Sequence, residues 1–210
     1  MAQTLVRYKR ALESPESVNT HRYRDPRFDA VAVKVFPGEH YVTDSAGEML
    51  VTVLGSCVAA CIRDPVIGVG GMNHFMLPES GGDGWGGASP CMRYGNVAME
   101  RLINDILARG GLRQRLEIKV FGGGNVMRGS SNIGHRNADF VEEYLAAEGL
   151  RIAAAHLRGD LPRRVHFFPA TGQVMLLELR RPEEIAVVKC EAKYKSKLLF
   201  EPVPGSVELF

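Results

Sequence analysis

Short strand-like runs separated by turn residues dominate this chain, and they constrain its fold more than any other feature. Residues 30–35, 40–43 and 116–121 are rich in β-branched and aromatic residues and are bounded by glycine, proline or aspartate. Only two segments, one beginning at Gly95 and one over 137–147, repeat apolar residues at helical spacing before a glycine stop. Many short strands with two helices do not make a regular parallel βαβ series, so we predict a mixed domain of another kind.

The domain is expected to span residues 30–181. Strand patterns over 164–168 and 173–179, joined by a turn at Thr171 and Gly172, predict a closing hairpin. Residues 1–29 mix charges and prolines with few aliphatics, which is typical of an N-terminal extension that is mobile or draped on the surface. Residues 182–210 form a C-terminal extension, and the sequence leaves open whether it is disordered or docks on a neighbour.

Charge and cysteine content exclude several classes of function. A formal net charge of +2, from 26 basic and 24 acidic residues without a basic run, does not favour nucleic acid as a partner. No stretch approaches the roughly 18 apolar residues that a membrane span needs, so we expect a cytoplasmic protein that is not membrane-embedded. Four irregularly spaced cysteines in a chain of 210 residues fit a reducing compartment.

A cysteine and a histidine fall within one compact unit of the chain. Cys57 follows an apolar run and the pair Gly55 and Ser56, which predicts a sharp bend that presents the sulfur at the end of a strand. His74 lies 17 residues further along. This is enough chain for a strand, a turn and a second strand over 66–70, and an antiparallel return would bring the imidazole beside the thiol.

Such a pair has a clear chemical use. A free thiol has a pKa of about 8.5, and a neighbouring imidazolium lowers it to roughly 3.5–7.5, which produces a thiolate able to attack an acyl carbon. The residues alone leave a plain core role for Cys57 open, because cysteine is among the most buried residue types. A zinc site made by Cys57, Cys61, His74 and Cys91 is disfavoured, because two cysteines three residues apart amid apolar residues are poor zinc spacing.

Several motifs in register resemble one known family. Residues 54–58 (LGSCV), 71–78 (GMNHFMLP), 119–127 (KVFGGGNVM) and 133–137 (IGHRN) are similar to the signature of the chemoreceptor glutamine deamidases of bacterial chemotaxis, the CheD family. The resemblance extends over roughly residues 31–180. It implies a single α+β domain, with mixed β-sheets packed together and two main amphipathic helices outside.

The resemblance also implies a reaction and the residues that perform it. Cys57 would attack the side-chain carboxamide of a receptor glutamine with help from His74, and Thr52 would orient the imidazole, with Ser56 as the alternative. Backbone N–H groups of the bend at 55–57 would hold the oxyanion, and water would hydrolyse the thioester to leave glutamate and free ammonia. No metal or cofactor is required.

Supporting residues are expected around this pair. The resemblance places the loop that begins at Gly122 and Gly123 near the reactive cysteine, and Asn73 directly precedes the histidine. A phosphate-binding interpretation of the glycine loop fails on spacing, because neither Gly-x-Gly-x-x-Gly nor a P-loop is completed. His135 is a rival base, to which we assign a structural or substrate-contacting role. The glycine-rich segment 79–90, which includes Trp85, is predicted to be a lid or substrate rim.

The resemblance implies two partners, and two alternative functions remain open. The substrate would be the cytoplasmic helices of a chemoreceptor, and a CheC-type phosphatase is a partner in those bacteria that have one. A non-catalytic binding module of the same fold would grip the receptor or the phosphatase, and a cysteine amidase or protease would act on other bonds. Ammonia release without chain cleavage separates the deamidase from both.

Overall fold

A computed structural model describes residues 6–7, 21–78, 90–126, 132–180 and 183–200 of the chain. Within these ranges the strands are β1 (Val6–Arg7), β2 (Arg22–Asp25), β3 (Ala30–Lys34), β4 (His40–Thr43), β5 (Glu48–Leu54), β6 (Val58–Arg63), β7 (Gly70–Asn73), β8 (Glu117–Gly122), β9 (Ile152–Leu157), β10 (Arg163–Phe168) and β11 (Gln173–Glu178). The helices are α1 (Pro90–Ala108), α2 (Ile133–Ala147) and α3 (Glu183–Phe200), with a 3-10 turn at Arg113–Arg115.

These strands form two mixed sheets. In the described part of the chain, the first sheet has the order β1-β11-β10-β5-β3-β2 and the second β4-β7-β6-β8-β9. In the first sheet β5 runs parallel to β3 and antiparallel to β10, whereas in the second β8 runs antiparallel to β6 and parallel to β9. The predicted α+β class with mixed sheets is confirmed, and so is the closing hairpin of β10 and β11.

The two faces of β6 show how the layers pack. Val58, Ala60 and Ile62 belong to the core cluster shared with α1 and α2, whereas Ala59 and Cys61 belong to the cluster between the two sheets. This alternation follows from the two-residue period of a strand that is buried on both faces. The fold therefore has three layers, in which the second sheet lies between the first sheet and the helices α1 and α2.

The position of one strand differs from the expectation. The sequence predicts the return strand after Cys57 over 66–70, but β7 begins at Gly70 and residues 65–67 form a turn. The cause is Asp64, whose side chain accepts the Val66 N–H at 2.9 Å and whose carbonyl accepts the Gly68 N–H at 3.0 Å. The antiparallel pairing of β6 with β7 is nevertheless as predicted.

The largest addition is the third helix. Residues 183–200, which the sequence leaves undecided, form α3, and α3 packs against the Gly55–Cys57 bend of the same chain through Glu191. Among the described residues, no helix is both long and apolar enough to cross a membrane.

Candidate active site

Three of the predicted site residues face the same layer. Thr52 lies on the face of β5 that points between the sheets, Cys57 continues the corresponding face of β6, and His74 continues that of β7. All three are almost fully buried. The two-residue period of three separate strands thus brings a hydroxyl, a thiol and an imidazole together between the sheets.

Thr52 determines which nitrogen of His74 carries the proton. Its hydroxyl donates to the Val35 carbonyl at 2.8 Å, so its oxygen accepts from His74 Nδ1 at 2.7 Å. The same Nδ1 also approaches the Val35 carbonyl at 3.3 Å, a contact that requires an N–H. The hydrogen-bond network therefore assigns the proton to Nδ1 and leaves a lone pair on Nε2.

Nε2 of His74 is the free end of this arrangement. Within the described residues it is buried and has no hydrogen-bond partner. The His74 ring nitrogen, Cys57 Sγ and a carboxylate oxygen of Glu191 all lie within 4.8 Å of one another. A buried basic nitrogen beside a thiol is the geometry of a nucleophile with its general base.

The protonation states of this pair follow from burial. Burial lowers the pKa of His74 to about 4, although the Glu191 charge and the Val35 carbonyl oppose the shift. Burial also raises the pKa of the Cys57 thiol well above its ordinary value, and the Glu191 carboxylate adds to the increase. The resting pair is therefore a neutral thiol and a neutral imidazole, not the thiolate and imidazolium that a solvated pair would form.

The bend before Cys57 is a binding site for an anion. The backbone N–H groups of Gly55, Ser56 and Cys57 donate to the Glu191 carboxylate at 2.8, 2.7 and 3.0 Å, and the Ser56 hydroxyl donates at 2.7 Å. Four donors converge on two oxygens beside the thiol. Successive backbone N–H groups in such a concavity are suited to stabilise an oxyanion.

Each of the three carbonyls in the bend at 55–57 accepts a hydrogen bond. The Gly55 and Cys57 carbonyls accept from the Gly124 and Gly123 N–H groups at 2.7 and 2.8 Å. The Ser56 carbonyl accepts from the Asn137 side-chain amide at 2.8 Å. These bonds fix the backbone of the bend, whose three N–H groups donate to the Glu191 carboxylate.

Gly122 and Gly123 are required by their backbone geometry. Both have positive φ, at 110° and 66°, and a Cβ on Gly122 would lie 2.1 Å from the Cys57 carbonyl oxygen. The glycine loop therefore packs directly on the backbone of the candidate nucleophile. Its N–H groups at Gly123, Gly124 and Asn125 are all bonded to carbonyls, which agrees with the exclusion of a phosphate cradle.

Asn73 supports the histidine from another side. Its side-chain oxygen accepts from the Ala60 N–H at 2.8 Å, and its side-chain nitrogen donates to the Ala98 carbonyl at 3.0 Å. Both ends of the amide thus tie β7 to β6 and α1. The side chain fixes the strand that carries His74, and its polar groups are bonded away from the anion site.

The other predicted residues lie outside the pair. Ser56, the alternative orienter, bonds Glu191, and it is Thr52 that contacts His74 Nδ1. The rival base His135 lies in the first turn of α2 and is partly buried. The predicted lid over 79–90 lies outside the described residues except for Pro90, at the start of α1.

Two residues of the site were not predicted. Glu191 reaches the bend from α3. The Asn137 side chain donates to the Ser56 carbonyl, and its oxygen accepts from the Leu77 N–H at 2.9 Å. The signal for Glu191 was a carboxylate within the apolar spacing of Val187, Tyr194 and Leu198. Asn137 is the last residue of the motif at 133–137, and the resemblance assigns it no role of its own.

The chemistry of the donors favours an anion site over a metal centre. Of the zinc ligands weighed from the sequence, Cys57 and His74 converge, and their third neighbour is Glu191 and not Cys61. Both Glu191 oxygens already accept N–H or O–H donors. The side chain of Cys91, the fourth candidate, is outside the described residues.

Comparisons with known proteins identify relatives of this chain. The sequence model of the family described as "CheD chemotactic sensory transduction" matches residues 76–178. A relative from Rhodopseudomonas palustris is 76% identical over 198 residues, which cover 94% of this chain and 92% of that protein. A relative from Thiobacillus denitrificans is 51% identical over 197 residues, covering 93% of this chain and 97% of that protein. One from Saccharophagus degradans is 50% identical over 211 residues, covering 98% and 95%.

All three relatives carry the name "Probable chemoreceptor glutamine deamidase CheD". The aligned regions span almost the full length of both partners, and they include Thr52, Cys57 and His74, which precede the segment that the family model matches. The chain therefore belongs to the CheD family.

Proposed function

We infer that this protein is a chemoreceptor glutamine deamidase, a hydrolase that converts receptor glutamine side chains to glutamate and releases ammonia. One observation carries the inference: the thiol of Cys57 and the free Nε2 of His74 adjoin an anion site that holds a carboxylate, the group that deamidation produces. The names of the relatives give the substrate class.

The first step begins from the neutral pair. Cys57 Sγ attacks the carboxamide carbon while His74 Nε2 accepts the thiol proton, so a C–S bond forms and the carbonyl electron pair moves to oxygen. The oxyanion takes the place of a Glu191 oxygen and accepts from the N–H groups at 55–57. Thr52 keeps the resulting imidazolium in position through Nδ1.

The second step releases ammonia. The imidazolium of His74 donates its Nε2 proton to the amide nitrogen, the C–N bond breaks, and a thioester with Cys57 remains. Water then attacks the thioester carbon, giving one proton to Nε2. The C–S bond breaks, the proton returns to the sulfur, and the side chain leaves as glutamate.

The finer partners are proposals as well. A glutamine on a helix in the cytoplasmic part of a chemoreceptor would be the substrate, and this would place the reaction in the cytoplasm. A CheC-type phosphatase is the proposed second partner, supported by the family resemblance. Co-elution of the purified protein with such a phosphatase tests that pairing.

The proposed activity is tested by incubating the protein with a purified receptor cytoplasmic fragment. We expect ammonia release, conversion of specific glutamines to glutamate in peptide maps, and an intact fragment, with Cys57→Ala as the inactive control. Chain cleavage would instead identify a protease. Binding without ammonia release or cleavage, on several receptors, would identify the non-catalytic module.

A further inference from the structure

One face of α3 covers the anion site. The more buried side chains of this helix include Val187, Glu191, Tyr194 and Leu198, which recur at intervals of four, three and four residues and so lie on one side. Glu191 is 2% exposed, although it stands in the middle of this largely apolar stripe. A buried carboxylate needs donors, and those of Glu191 are the bend N–H groups and the Ser56 hydroxyl.

The chemistry of this contact matches the product of the reaction. Deamidation of a glutamine on a receptor helix leaves a glutamate on that helix, with its carboxylate beside Cys57. In the structure, a glutamate on a helix of the same chain occupies that position, within 4.8 Å of the thiol and the imidazole. The Glu191 carboxylate on α3 thus occupies the position that the carboxylate of the product glutamate would occupy after the reaction.

We propose that α3 is a product analogue in cis, which occupies the docking surface of the substrate helix and must be displaced before a receptor can bind. This inference rests on the proposed function. We define the docking surface by Gly38, Tyr94 and the bend at 55–57, which all contact α3.

The contacts of Tyr194 describe the kind of helix that fits. Its hydroxyl hydrogen-bonds the hydroxyl of Tyr94, and its ring packs on Gly38, where a Cβ would lie 2.8 Å from the Tyr194 oxygen. Tyr194 and Leu198 also pack against the cluster between the sheets. A matching substrate helix carries its glutamine with a large side chain three residues later and an apolar one seven residues later.

A carboxylate fits this site better than a carboxamide. The two Glu191 oxygens accept from four donors, whereas a carboxamide has one acceptor oxygen and directs its own N–H groups at the others. The tether also gives α3 a high effective concentration, since only residues 179–182 separate it from β11. A receptor helix must compete with α3, which binds through a carboxylate and is tethered to the site. Such competition raises the apparent KM for the receptor without changing kcat.

The first test removes the carboxylate from the full-length chain. In Glu191→Ala, we expect the apparent KM for the receptor fragment to fall by about tenfold or more. Lys193→Ala, on the exposed side of α3, is the matched control and should keep the wild-type KM. An unchanged KM in Glu191→Ala, with an active wild type, would overturn the inference.

The second test turns α3 into a substrate. In Glu191→Gln, the carboxamide at position 191 lies in the active site, so Cys57 should convert it to a carboxylate without any receptor. Peptide mapping should show glutamate at residue 191, at a rate independent of protein concentration. The double variant Glu191→Gln, Cys57→Ala should keep glutamine, and so should position 143 in Glu143→Gln, which alters an exposed residue of α2.

The two hypotheses fail in different ways. If wild type deamidates the receptor but residue 191 stays glutamine and the KM of Glu191→Ala is unchanged, α3 is not a product analogue and the deamidase assignment stands. If neither receptor nor residue 191 is deamidated by any variant with an intact Cys57, the proposed function fails, and the inference fails with it.

Discussion

Thr52 Oγ1 lies 2.7 Å from His74 Nδ1, and the same hydroxyl donates to the Val35 carbonyl. The hydroxyl hydrogen is therefore engaged, and the oxygen can only accept from the imidazole. We therefore propose that Thr52 is a positioning residue, which fixes the imidazole through Nδ1 and leaves the Nε2 lone pair free. The role resembles that of the third member of a catalytic triad, performed by a neutral side chain.

Replacing this hydroxyl should slow catalysis without weakening substrate binding. Thr52→Val preserves shape but removes the acceptor of Nδ1–H, and we expect kcat to fall by about tenfold to a hundredfold at a similar KM. Thr52→Ser restores the oxygen and should recover most of the rate. Equal rates for the valine variant and wild type, in steady-state ammonia assays, would show that Thr52 does not position the base.

The Asn137 side chain should support both stability and the anion site. Asn137→Ala leaves the Ser56 carbonyl and the Leu77 N–H without their partner in a buried region, so we expect a loss of about 2–4 kcal/mol in the free energy of unfolding. Urea unfolding measures the loss. Asn137→Asp keeps an acceptor for Leu77 but directs an oxygen at the Ser56 carbonyl, and it should be less active than wild type even where it is folded. Wild-type stability in Asn137→Ala would contradict the bonding described above.

Gly149 and Gly122 both have a positive φ, so comparing their alanine variants separates the cost of backbone strain from the cost of a steric clash. Gly149 has a φ of 66° and open space where a Cβ would lie, whereas a Cβ on Gly122 would meet the Cys57 carbonyl oxygen at 2.1 Å. Gly149→Ala should cost about 1–2 kcal/mol, the usual cost of left-handed backbone. Gly122→Ala should cost several kcal/mol more, because the backbone of the candidate nucleophile must move. Similar unfolding midpoints in the two variants would contradict the close packing.

Much of the site could be predicted because it is local in the sequence. The pair of strands around the bend, the cysteine at a strand end and the histidine on the returning strand follow from turn residues and strand periodicity. Only the motif resemblance predicts that Gly122 and Gly123 lie beside the cysteine. The start of β7 was wrong, because the side chain of Asp64 extends the turn in a way that propensity does not reveal.

The remaining contacts depend on tertiary structure. Glu191 is separated from Cys57 by 134 residues and Asn137 from Ser56 by 81, and no local pattern links these partners. The protonation of the pair also depends on burial, which lowers the pKa of His74 and raises that of Cys57. A sequence motif specifies the two groups, but only the packed structure shows that α3 closes over them.

Stability should fall in mild acid because two histidines are buried in the neutral form. Burial lowers the pKa values of His74 and His166 to about 4, below the ordinary value of 6.5. The unfolded chain therefore binds more protons between these values, and stability that is complete above pH 6.5 is lost as the pH falls towards 4. Each histidine contributes on the order of 3 kcal/mol to this loss.

His166→Phe isolates one contribution away from the active site. His166 packs beside Phe28 at a ring-centroid distance of 5.3 Å, so an aromatic replacement is compatible with its surroundings. We expect the difference in unfolding free energy between pH 7 and pH 4 to shrink by roughly 3 kcal/mol relative to wild type. Denaturant unfolding at both pH values measures it, and an identical pH dependence in the two proteins would exclude neutral burial of His166.

The most direct test of the proposed chemistry is to trap the covalent intermediate. Receptor fragment and protein are mixed, quenched in acid within a single turnover, digested and analysed by mass spectrometry, with Glu191→Ala used to favour docking. We expect a receptor glutamine peptide joined to the Cys57 peptide, with the mass of one ammonia lost, and no such adduct in Cys57→Ala. Full conversion of receptor glutamine to glutamate by Cys57→Ala would contradict the proposal, because deamidation would then proceed without the thiol.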